Sequence, residues 1–314
     1  MAEYKLTGKR VWIAGHTGMV GKALMKRLEA ENCEVLTVGR ASLDLTERHS
    51  VATWCAREKP EAVFLAAARV GGIMANDTAP VDFLQDNLLI ATTVIAGAYE
   101  AGVEKVLNLG SSCIYPRLAP QPIPEAALLT GPLEPTNQWY AIAKIAAIML
   151  GQAYRKQYGA DMISAMPTNL YGPGDNFDLT SSHVMPALIR KVHEAKQTGA
   201  PVTIWGTGTP RREFLYVDDC ADACVFLMKH YSDAEHVNVG SGQDIAIADL
   251  VGVVMEVVGY DAPVIKDTSK PDGTPRKLMS SAKLTAMGWT PQIPLEQGLA
   301  ETYRWFLKQD TIRA

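Results

Sequence analysis

The residues with the most direct chemical meaning are Tyr140 and Lys144, four positions apart in the segment Trp139–Lys144. In an α-helix, positions i and i+4 lie on the same face, so the phenol and the ammonium can share one pocket. A nearby positive charge favours phenolate, and we expect it to lower the pKa of Tyr140 toward a range useful for proton transfer. The spacing alone is a weak signal, because a solvated lysine beside a half-buried tyrosine is common.

Ser111 and Cys113 are further candidates, because they directly follow a predicted strand, Lys105–Leu109. In an open α/β sheet, chemistry is placed at the carboxyl ends of the strands. Turn capping is the alternative for the serine, and a small buried side chain is the alternative that residue type favours for Cys113. His183 precedes a predicted helix, where capping or packing explains it equally well.

A glycine-rich turn follows the apolar run Arg10–Ala14 and precedes a helical pattern from Lys22 to Ala30. Glycines at this spacing allow a tight bend, let the backbone approach a pyrophosphate, and let the helix pack on the strand. The amides at the helix start supply an anion site. The pattern predicts a dinucleotide-binding turn formed by Gly15, His16, Thr17, Gly18, Met19, Val20 and Gly21.

The preference between the two nicotinamide cofactors depends on Arg40, at the end of the second apolar run, Glu34–Gly39. NAD-specific proteins commonly place an acidic residue there, against the ribose hydroxyls. A guanidinium suits a 2′-phosphate instead, so the sequence favours NADP, with an ordinary surface arginine as the alternative. The carboxylate of Asp44 is predicted to face the adenine region.

The order of predicted elements indicates an α/β fold. Apolar runs Ala62–Leu65, Met162–Pro167 and Val237–Gly240 alternate with helical patterns, as in a Rossmann-type doubly wound parallel sheet. We expect an NADP-binding domain at residues 1–168, rejoined by about 217–240, and a smaller α/β substrate-binding lobe in 169–314. Residues 168–174 are predicted to be a turn-rich exit from the sheet.

Composition excludes several function classes. The net charge of −4 over 314 residues provides no basic field for nucleic acid. The amino end, Met1–Lys5, is polar, and no run approaches the ~18 apolar residues of a membrane span, so we expect a cytoplasmic protein. Five scattered cysteines lack a metal-binding spacing. Asp218, Asp219 and Asp222 resemble carboxylates at a helix start rather than metal ligands, so no metal is expected.

Several stretches spread over nearly the whole chain resemble the extended short-chain dehydrogenase/reductase family. Within it, they are similar to the bifunctional 3,5-epimerase/4-reductases that act with NADPH on GDP-4-keto-6-deoxy-D-mannose. The matching stretches, more specific together than any one motif, are Leu65–Ile73, Gly110–Pro116, Leu133–Asn137, Met166–Pro173, Arg212–Leu215 and Lys270–Lys277.

The resemblance implies roles for the candidate residues. Cys113 and His183 become the base and acid that invert C3 and C5, so packing becomes the minority explanation for both. Ser111 hydrogen-bonds the C4 oxygen, Tyr140 protonates the alkoxide, and Lys144 holds the cofactor ribose. Besides the glycine turn, Arg40 and Asp44, the implied cofactor contacts are Leu109, Gly110, Ser111, Ser112, Tyr140, Lys144, Pro167, Thr168, Asn169, Leu170 and His183.

The nucleotide-sugar contacts implied by the resemblance are Trp205, Arg212, Asp272 and Lys191. Lys191 departs from the family pattern, which has an arginine there, and a lysine cannot form the planar fork. Thr17 also replaces an arginine that helps to hold the 2′-phosphate, which leaves Arg40 as the main NADP determinant. The family commonly dimerises through the face of the Tyr140–Lys144 helix, so a homodimer is expected.

Two alternatives remain open from the sequence. One is a nucleotide-sugar 4-epimerase or 4,6-dehydratase that keeps its NAD bound; Cys113, His183 and Arg40 argue against it. The other is a non-enzymatic NADP-sensing or scaffold protein on the same fold, which would not need to keep Ser111, Tyr140 and Lys144.

Overall fold

The computed structural model describes residues 3–270 and 272–309. The predictions that concern Met1 and Ala2 of the polar amino end, Pro271 of the last matching stretch, and residues 310–314 of the C-terminal lobe therefore lie outside the described residues. Along the chain, the strands are β1 (Arg10–Ala14), β2 (Glu34–Leu36), β3 (Ala62–Leu65), β4 (Lys105–Leu109), β5 (Asp161–Pro167), β6 (Asn169–Tyr171), β7 (Val202–Trp205), β8 (Arg211–Tyr216), β9 (Val237–Val239), β10 (Asp244–Ala246), β11 (Val264–Asp267) and β12 (Arg276–Lys277).

The α-helices are α1 (Met19–Leu28), α2 (Arg48–Glu58), α3 (Ile73–Thr78), α4 (Pro80–Glu100), α5 (Gln138–Tyr158), α6 (Val184–Thr198), α7 (Val217–His230), α8 (Ile247–Val258), α9 (Ala282–Ala286) and α10 (Leu295–Phe306). Short 3₁₀ turns include Ser112–Ile114 and Pro135–Asn137.

Six parallel strands form the larger sheet, in the order β2-β1-β3-β4-β5-β9. Helices α1 and α7 pack together, as do α2, α4 and α5. The two groups bury separate apolar clusters, one containing Leu24 and Cys224 and the other containing Trp54 and Ile95. Helices covering both faces of an open parallel sheet define a Rossmann-type doubly wound fold, as predicted.

The smaller lobe is built around β8, which pairs with β6, β10 and β12, while β7 and β11 form a separate parallel pair. Its apolar core joins α6, α8 and α10 and includes Leu188, Leu250 and Phe306. The chain then returns to the large sheet, because β9 pairs with β5. The two lobes therefore exchange chain segments more than once.

The predicted boundaries are accurate where the periodicity is strong. Lys105–Leu109 forms β4 as expected, whereas β2 ends at Leu36 rather than Gly39. The exit predicted as turns contains β6, because Asn169 to Tyr171 pair with Phe214 to Tyr216. A three-residue strand carries little periodicity of its own, so only its partner strand reveals it.

The sequence predicts neither a membrane-spanning helix nor a metal site. None of the helices in 3–270 and 272–309 is long and apolar enough to cross a membrane. Within the same ranges, no three His, Cys, Asp or Glu side chains are grouped to hold a metal ion. Asp218 and Asp219 lie in the first turn of α7, as predicted, whereas Asp222 lies further along the helix and pairs with Arg27.

Candidate active site

The glycine turn between β1 and α1 gives each glycine a distinct task. Gly15 has a φ of 97°, a conformation that favours glycine, and a Cβ added there would overlap the backbone of Ala67. A Cβ at Gly21 would overlap the carbonyl oxygen of Gly15, so the helix can lie on the turn only without a side chain there. These contacts fit a dinucleotide-binding turn.

The start of α1 is suited to an anion. Gly18 is its N-cap residue, no side chain caps it, and its first turn carries no acidic residue. Met19 and Val20 begin the helix, while His16 and Thr17 precede Gly18 in the turn, with Thr17 exposed. Backbone amides at a helix start are an intrinsic phosphate site, so these residues can hold a pyrophosphate.

Beyond β2, Arg40 is exposed. The carboxylate of Asp44 accepts hydrogen bonds from the amide and the hydroxyl of Thr46, at 2.9 and 2.8 Å. These bonds, together with the charge of Arg40, hold the pKa of Asp44 below its usual range. Asp44 therefore stabilises a turn beside Arg40, which leaves the guanidinium as the group that suits a 2′-phosphate.

The carboxyl end of β4 is closely packed. The amide of Gly110 donates to Ala165 at 2.8 Å, and an added Cβ would overlap Met166. Ser111 caps the 3₁₀ turn Ser112–Ile114, its hydroxyl oxygen accepting from the Cys113 amide at 3.4 Å. The backbone thus places Ser111 and Cys113 together, two residues apart, at the end of the strand.

Helix α5 connects the tyrosine and the lysine to this strand end. The buried ammonium of Lys144 donates to the carbonyl oxygen of Leu109 at 2.8 Å and lies 5.8 Å from the centre of the Tyr140 ring. Phe83 also packs against that ring, edge to face, at 6.3 Å between centroids. The tyrosine is therefore held in place by both its helix and α4.

The expected lowering of the tyrosine pKa is wrong for this structure. Burial raises the pKa of Tyr140, the negative form of Cys113 raises it further, and hydrogen bonding with Ser111 only partly opposes this. Burial also lowers the pKa of Lys144 to about 8. Burial outweighs the opposing effect of Ser111 at Tyr140 and the opposing charge of Cys113 at Lys144. Tyr140 is consequently a phenol at neutral pH, which is the form needed for a proton donor.

Cys113 lies in the same pocket. It is 6% exposed, and burial raises the pKa of its thiol, against the opposing effects of Lys277, hydrogen bonding with Ser111, and Lys144. Four of the five predicted catalytic residues therefore act on one another: Ser111, Cys113, Tyr140 and Lys144.

His183 comes from the other lobe, at the N-cap position of α6. The loop before it is fixed by Asp178, whose carboxylate accepts from the amide and hydroxyl of Ser181, both at 2.8 Å. The amide of Gly72 donates to the Ser181 carbonyl at 2.8 Å, and a Cβ at Gly72 would collide with Ser182. The first lobe thus holds the histidine-bearing loop by direct backbone contact.

His183 is exposed to solvent, although protein atoms around the imidazole reduce its hydration. Loss of hydration lowers its pKa, and the positive charge of Lys277 lowers it further. Lys277 thus acts on both His183 and Cys113. Lys277 was not predicted from the sequence as a site residue, although it ends the matching stretch Lys270–Lys277, which was the available signal.

The exit from β5 completes the cofactor side. Pro167 ends β5, and the Thr168 amide donates to Val239 at 3.1 Å. The side-chain amide of Asn169 donates to the Glu213 carbonyl at 2.8 Å, and Leu170 lies in β6. Because β4 and β5 are adjacent parallel strands, this exit lies beside the strand end that carries Ser111.

Trp205 and Lys191 lie together in the smaller lobe. The tryptophan is 52% exposed at the end of β7, and the Lys191 ammonium lies 5.3 Å from its ring centre while donating to Thr203 at 3.2 Å. The ammonium of Lys270, which was not predicted as a site residue, lies 5.8 Å from the centre of the same ring. An exposed aromatic surface flanked by two cations can stack a base and contact a phosphate.

Arg212 and Asp272 have hydrogen bonds that the sequence did not predict. The guanidinium of Arg212 donates to the carbonyl of Thr274 at 2.6 Å. Asp272 accepts from the amide and the hydroxyl of Thr207, at 2.9 and 2.8 Å. Asp272 therefore fixes the turn after β7 against its own loop, whereas Arg212 anchors the next residues of that loop.

Comparison with known proteins identifies the family to which this chain belongs. A model of the NAD dependent epimerase/dehydratase family matches residues 11–240. The chain belongs to this family, and its members' dinucleotide fold agrees with the sheet and glycine turn described above.

Individual members of the family are similar to this chain over nearly its whole length. The chain is 61% identical to a GDP-L-fucose synthase of Sinorhizobium fredii, over 98% of both chains, and 49% identical to the Escherichia coli GDP-L-fucose synthase, over 98% of this chain and all of that one. The crystal structure of a GDP-L-fucose synthetase from Naegleria fowleri bound to NADP is 30% identical, with a TM-score of 0.89 over 98% of this chain and 96% of that one. The predicted resemblance is confirmed.

Proposed function

We propose that this chain is a GDP-L-fucose synthase, which inverts C3 and C5 of GDP-4-keto-6-deoxy-D-mannose and reduces C4 with NADPH. The observation that carries the proposal is the buried Cys113 thiol among Ser111, Tyr140 and Lys144. Reduction needs only the last three residues. A thiol in the same pocket adds a group that can take a proton from carbon. The two relatives of that name, at 49% and 61% identity, support the assignment.

Epimerisation is assigned to Cys113 and His183. A C4 ketone acidifies the hydrogens on C3 and C5, so inversion requires removal of a proton from one face and its return from the other. The Cys113 thiolate takes the proton, and the electrons of the C–H bond pass to the C4 oxygen as an enolate. His183, from the opposite lobe, returns a proton to carbon. Having the two groups on different lobes suits work on opposite faces of the sugar.

Reduction is assigned to Ser111, Tyr140 and Lys144. The glycine turn and Arg40 would hold NADPH, which when bound would supply the hydride for C4. Ser111 hydrogen-bonds the C4 oxygen, and Tyr140 gives its proton to the oxygen as negative charge develops there. The raised pKa of Tyr140 makes it a phenol throughout the neutral range, so the proton is available. Lys144 holds the ribose.

The nucleotide end of the substrate is assigned to the smaller lobe. Trp205 offers a ring for the guanine, and Arg212 and Lys191 offer positive charge to the diphosphate. Asp272 acts by holding the loop that surrounds them, through its bonds to Thr207. This division places the sugar between the lobes, with its ketone toward Ser111.

One experiment tests the function and its rivals. The protein is incubated with GDP-4-keto-6-deoxy-D-mannose and NADPH in deuterated water, and the product is identified by NMR and mass spectrometry. We expect NADPH consumption, deuterium at C3 and C5, and GDP-L-fucose. NADPH oxidation without deuterium at these carbons would indicate a simple 4-reductase, and no turnover by the folded protein would contradict the enzyme assignment.

The assembly proposed for this enzyme is a homodimer through α4 and α5. Trp139, Ile142 and Met149 are 39–45% exposed and recur at helical spacing along α5, beside exposed Leu89 and Tyr99 of α4. An apolar face of this kind is typical of an interface. Met149→Glu is expected to give a monomer by analytical ultracentrifugation, whereas an unchanged mass would contradict this interface.

The five cysteines form no disulfide, which supports a cytoplasmic location.

A further inference from the structure

The 3₁₀ turn Ser112–Ile114, which carries Cys113, is held differently at its two ends. Ser111 precedes it directly after β4, where the Gly110 amide is bonded to β5, so the large sheet fixes this end. At the other end, the Tyr115 amide donates to the carbonyl of the turn's first residue at 3.4 Å, which is a long hydrogen bond. The backbone alone therefore holds this end weakly.

The side chain of Tyr115 supplies a second attachment for this end. It is buried, and its hydroxyl lies 2.9 Å from Nε2 of His236 and donates to Oδ1 of Asn238 at 2.5 Å. Both partners are buried as well, Asn238 completely. A buried hydroxyl that both accepts and donates is fixed in direction, because breaking either bond leaves a polar group without a partner.

The direction of these hydrogen bonds follows from Asn238. Its side-chain amide donates to the carbonyls of Ile123 and Ser280, at 3.0 and 3.3 Å, which leaves its oxygen to face Tyr115. The single hydroxyl proton of Tyr115 goes to that oxygen, so the ring of His236 must donate to the hydroxyl. Burial lowers the pKa of His236 to about 4, so the imidazole is neutral near pH 7 and its one proton lies on Nε2.

The anchor for the tyrosine belongs to the large sheet. Asn238 lies in β9, opposite Met166 of β5, and its backbone amide donates to the carboxylate of Glu125 at 3.0 Å. The ring of Tyr115 belongs to an apolar cluster that includes Ile148 of α5. The hydroxyl can thus be removed while the ring keeps its apolar neighbours.

The residues assigned to reduction do not depend on this attachment. Ser111 lies before the turn, and Lys144 is bonded to the end of β4. Tyr140 is on the same helix as Lys144. Cys113 instead lies inside the turn, two residues from Tyr115. A shift of the tyrosine would therefore move the thiol more than it moves the reducing groups.

We propose that Tyr115 is a positioning residue of epimerisation, which with His236 and Asn238 sets where the Cys113 thiol meets the sugar. The proposal rests on the function assigned above to Cys113. In that step the thiolate forms an S–H bond as the C–H bond breaks and its electron pair moves to the C4 oxygen, so no oxidant or reductant is required. Proton transfer from carbon depends on the separation of the reacting atoms, and a misplacement of ~1 Å can cost about 10²-fold in rate.

The first test compares the two reactions in Tyr115→Phe. Deuterium exchange at C3 and C5 of GDP-4-keto-6-deoxy-D-mannose is measured with NADP⁺, so that no reduction occurs. Hydride transfer is measured as the initial rate of NADP⁺ reduction by GDP-L-fucose, which needs no inversion. We expect exchange to fall on the order of tenfold and hydride transfer to stay within about twofold. A purely structural role would lower both rates alike, and either that result or unchanged exchange would overturn the proposal.

Tyr303→Phe is the matched control. The hydroxyl of Tyr303, on α10 of the smaller lobe, also lies 2.9 Å from a histidine nitrogen, Nδ1 of His193. The change removes the same kind of tyrosine–histidine hydrogen bond from a different apolar core than that of Tyr115, so both rates should stay as in the wild type.

The hydrogen bond itself is tested at His236. The amide nitrogen of a glutamine reaches about as far as Nε2, whereas that of an asparagine falls short, so His236→Gln should retain exchange and His236→Asn should lose it as Tyr115→Phe does. The double variant Tyr115→Phe/His236→Asn should be no worse than either change alone, because both remove the same bond. Losses that multiply would show that the two residues act separately, which would overturn the proposal. Should Tyr115→Phe fail to fold, as seen by circular dichroism, the two His236 variants make the same comparison.

Failure of the underlying function gives a different result. If Cys113→Ser exchanges deuterium at the wild-type rate, Cys113 is not the base. The crystal structure of Tyr115→Phe tests the positioning independently, because it needs neither substrate nor turnover. We expect the Cys113 sulfur to be displaced relative to Ser111 and Tyr140, and an unmoved sulfur would overturn the proposal.

Discussion

The proposed reducing centre lies around the end of β4, where Cys113 of the proposed epimerising pair also lies, but the chain builds the two arrangements differently. Tyr140 and Lys144 are one helical turn apart on α5, and Lys144 is bonded to the strand end that precedes Ser111. Cys113 and His183 are 70 positions apart and come from different lobes. The first arrangement is fixed by local geometry and one strand–helix contact. The second depends on how the lobes meet, and its charge environment includes Lys277 from a third segment.

Burial dominates the electrostatics of both regions, but the charges that oppose it differ. In the reducing centre, burial dominates: it raises the pKa of Tyr140 and lowers that of Lys144 to about 8, so each group moves toward its neutral form. At Cys113, burial is opposed by Lys277 and Lys144, which favour the charged thiolate. Burial still prevails at Cys113 and raises the pKa of its thiol, but two cations oppose it there, whereas hydrogen bonding with Ser111 is what opposes it at Tyr140.

The largest effect is expected for Tyr140→Phe, which should lower the rate of C4 reduction by roughly 10²- to 10⁴-fold, because no group then protonates the alkoxide. Deuterium incorporation at C3 and C5 should continue, since it needs only Cys113 and His183. NADPH oxidation and NMR measure the two processes separately. Tyr99→Phe, on the exposed face of α4, is the control, and near wild-type reduction by Tyr140→Phe would show that another group donates the proton.

The converse change is Cys113→Ser. A serine hydroxyl is not ionised near neutral pH, so we expect deuterium incorporation to fall by on the order of 10²-fold or more while hydride transfer remains possible. Mass spectrometry of recovered substrate and product gives the exchange. Cys55→Ser, at another buried cysteine far from the pocket in sequence, is the matched control. If deuterium exchange is unaltered in Cys113→Ser, Cys113 is not the base of epimerisation, and the two regions do not divide the two reactions as proposed.

A smaller effect is expected from Arg212→Gln, which removes a charge from the face shared with Lys277. Charge-assisted hydrogen bonds contribute about 1.5–3 kcal/mol, so KM for the GDP-sugar should rise by roughly 10- to 100-fold. Arg211→Gln, its neighbour on the opposite face of β8, is the control, because its partner is Asp244. Equal effects of both changes on KM would mean that the two faces do not differ in function.

The smallest effect is expected from Arg40→Ser. With Thr17 in the glycine turn, Arg40 is the main group assigned to the 2′-phosphate, and its loss should reduce the preference for NADPH over NADH by about tenfold. The ratio of kcat/KM for the two cofactors measures this. Arg48→Ser, an exposed arginine paired with Glu100, serves as the comparison. A preference that stays intact in Arg40→Ser would move the specificity to another part of the cofactor site.

Much of the fold and part of the candidate site could be predicted from the sequence alone. The glycine spacing, the strand Lys105–Leu109 and the pair Tyr140–Lys144 follow from short-range geometry, which the periodicity of a single segment displays. The doubly wound fold and the family were predicted from these features and the matching stretches, and both are confirmed. The roles of individual site residues and the domain limits remain predictions.

The strand pairing of the smaller lobe, the hydrogen bonds between loops and the pKa directions were revealed only by the tertiary structure. Strand β6 exists because β8 pairs with it, and Asp272 is bonded to Thr207 because two loops meet. The direction of the Tyr140 pKa was predicted wrongly, because spacing reveals the neighbouring charge but not how much water is lost around the phenol. Lys277 was missed for a related reason. Its charge acts on Cys113 and His183, which are distant in sequence, and β12 takes its place only by pairing with β8.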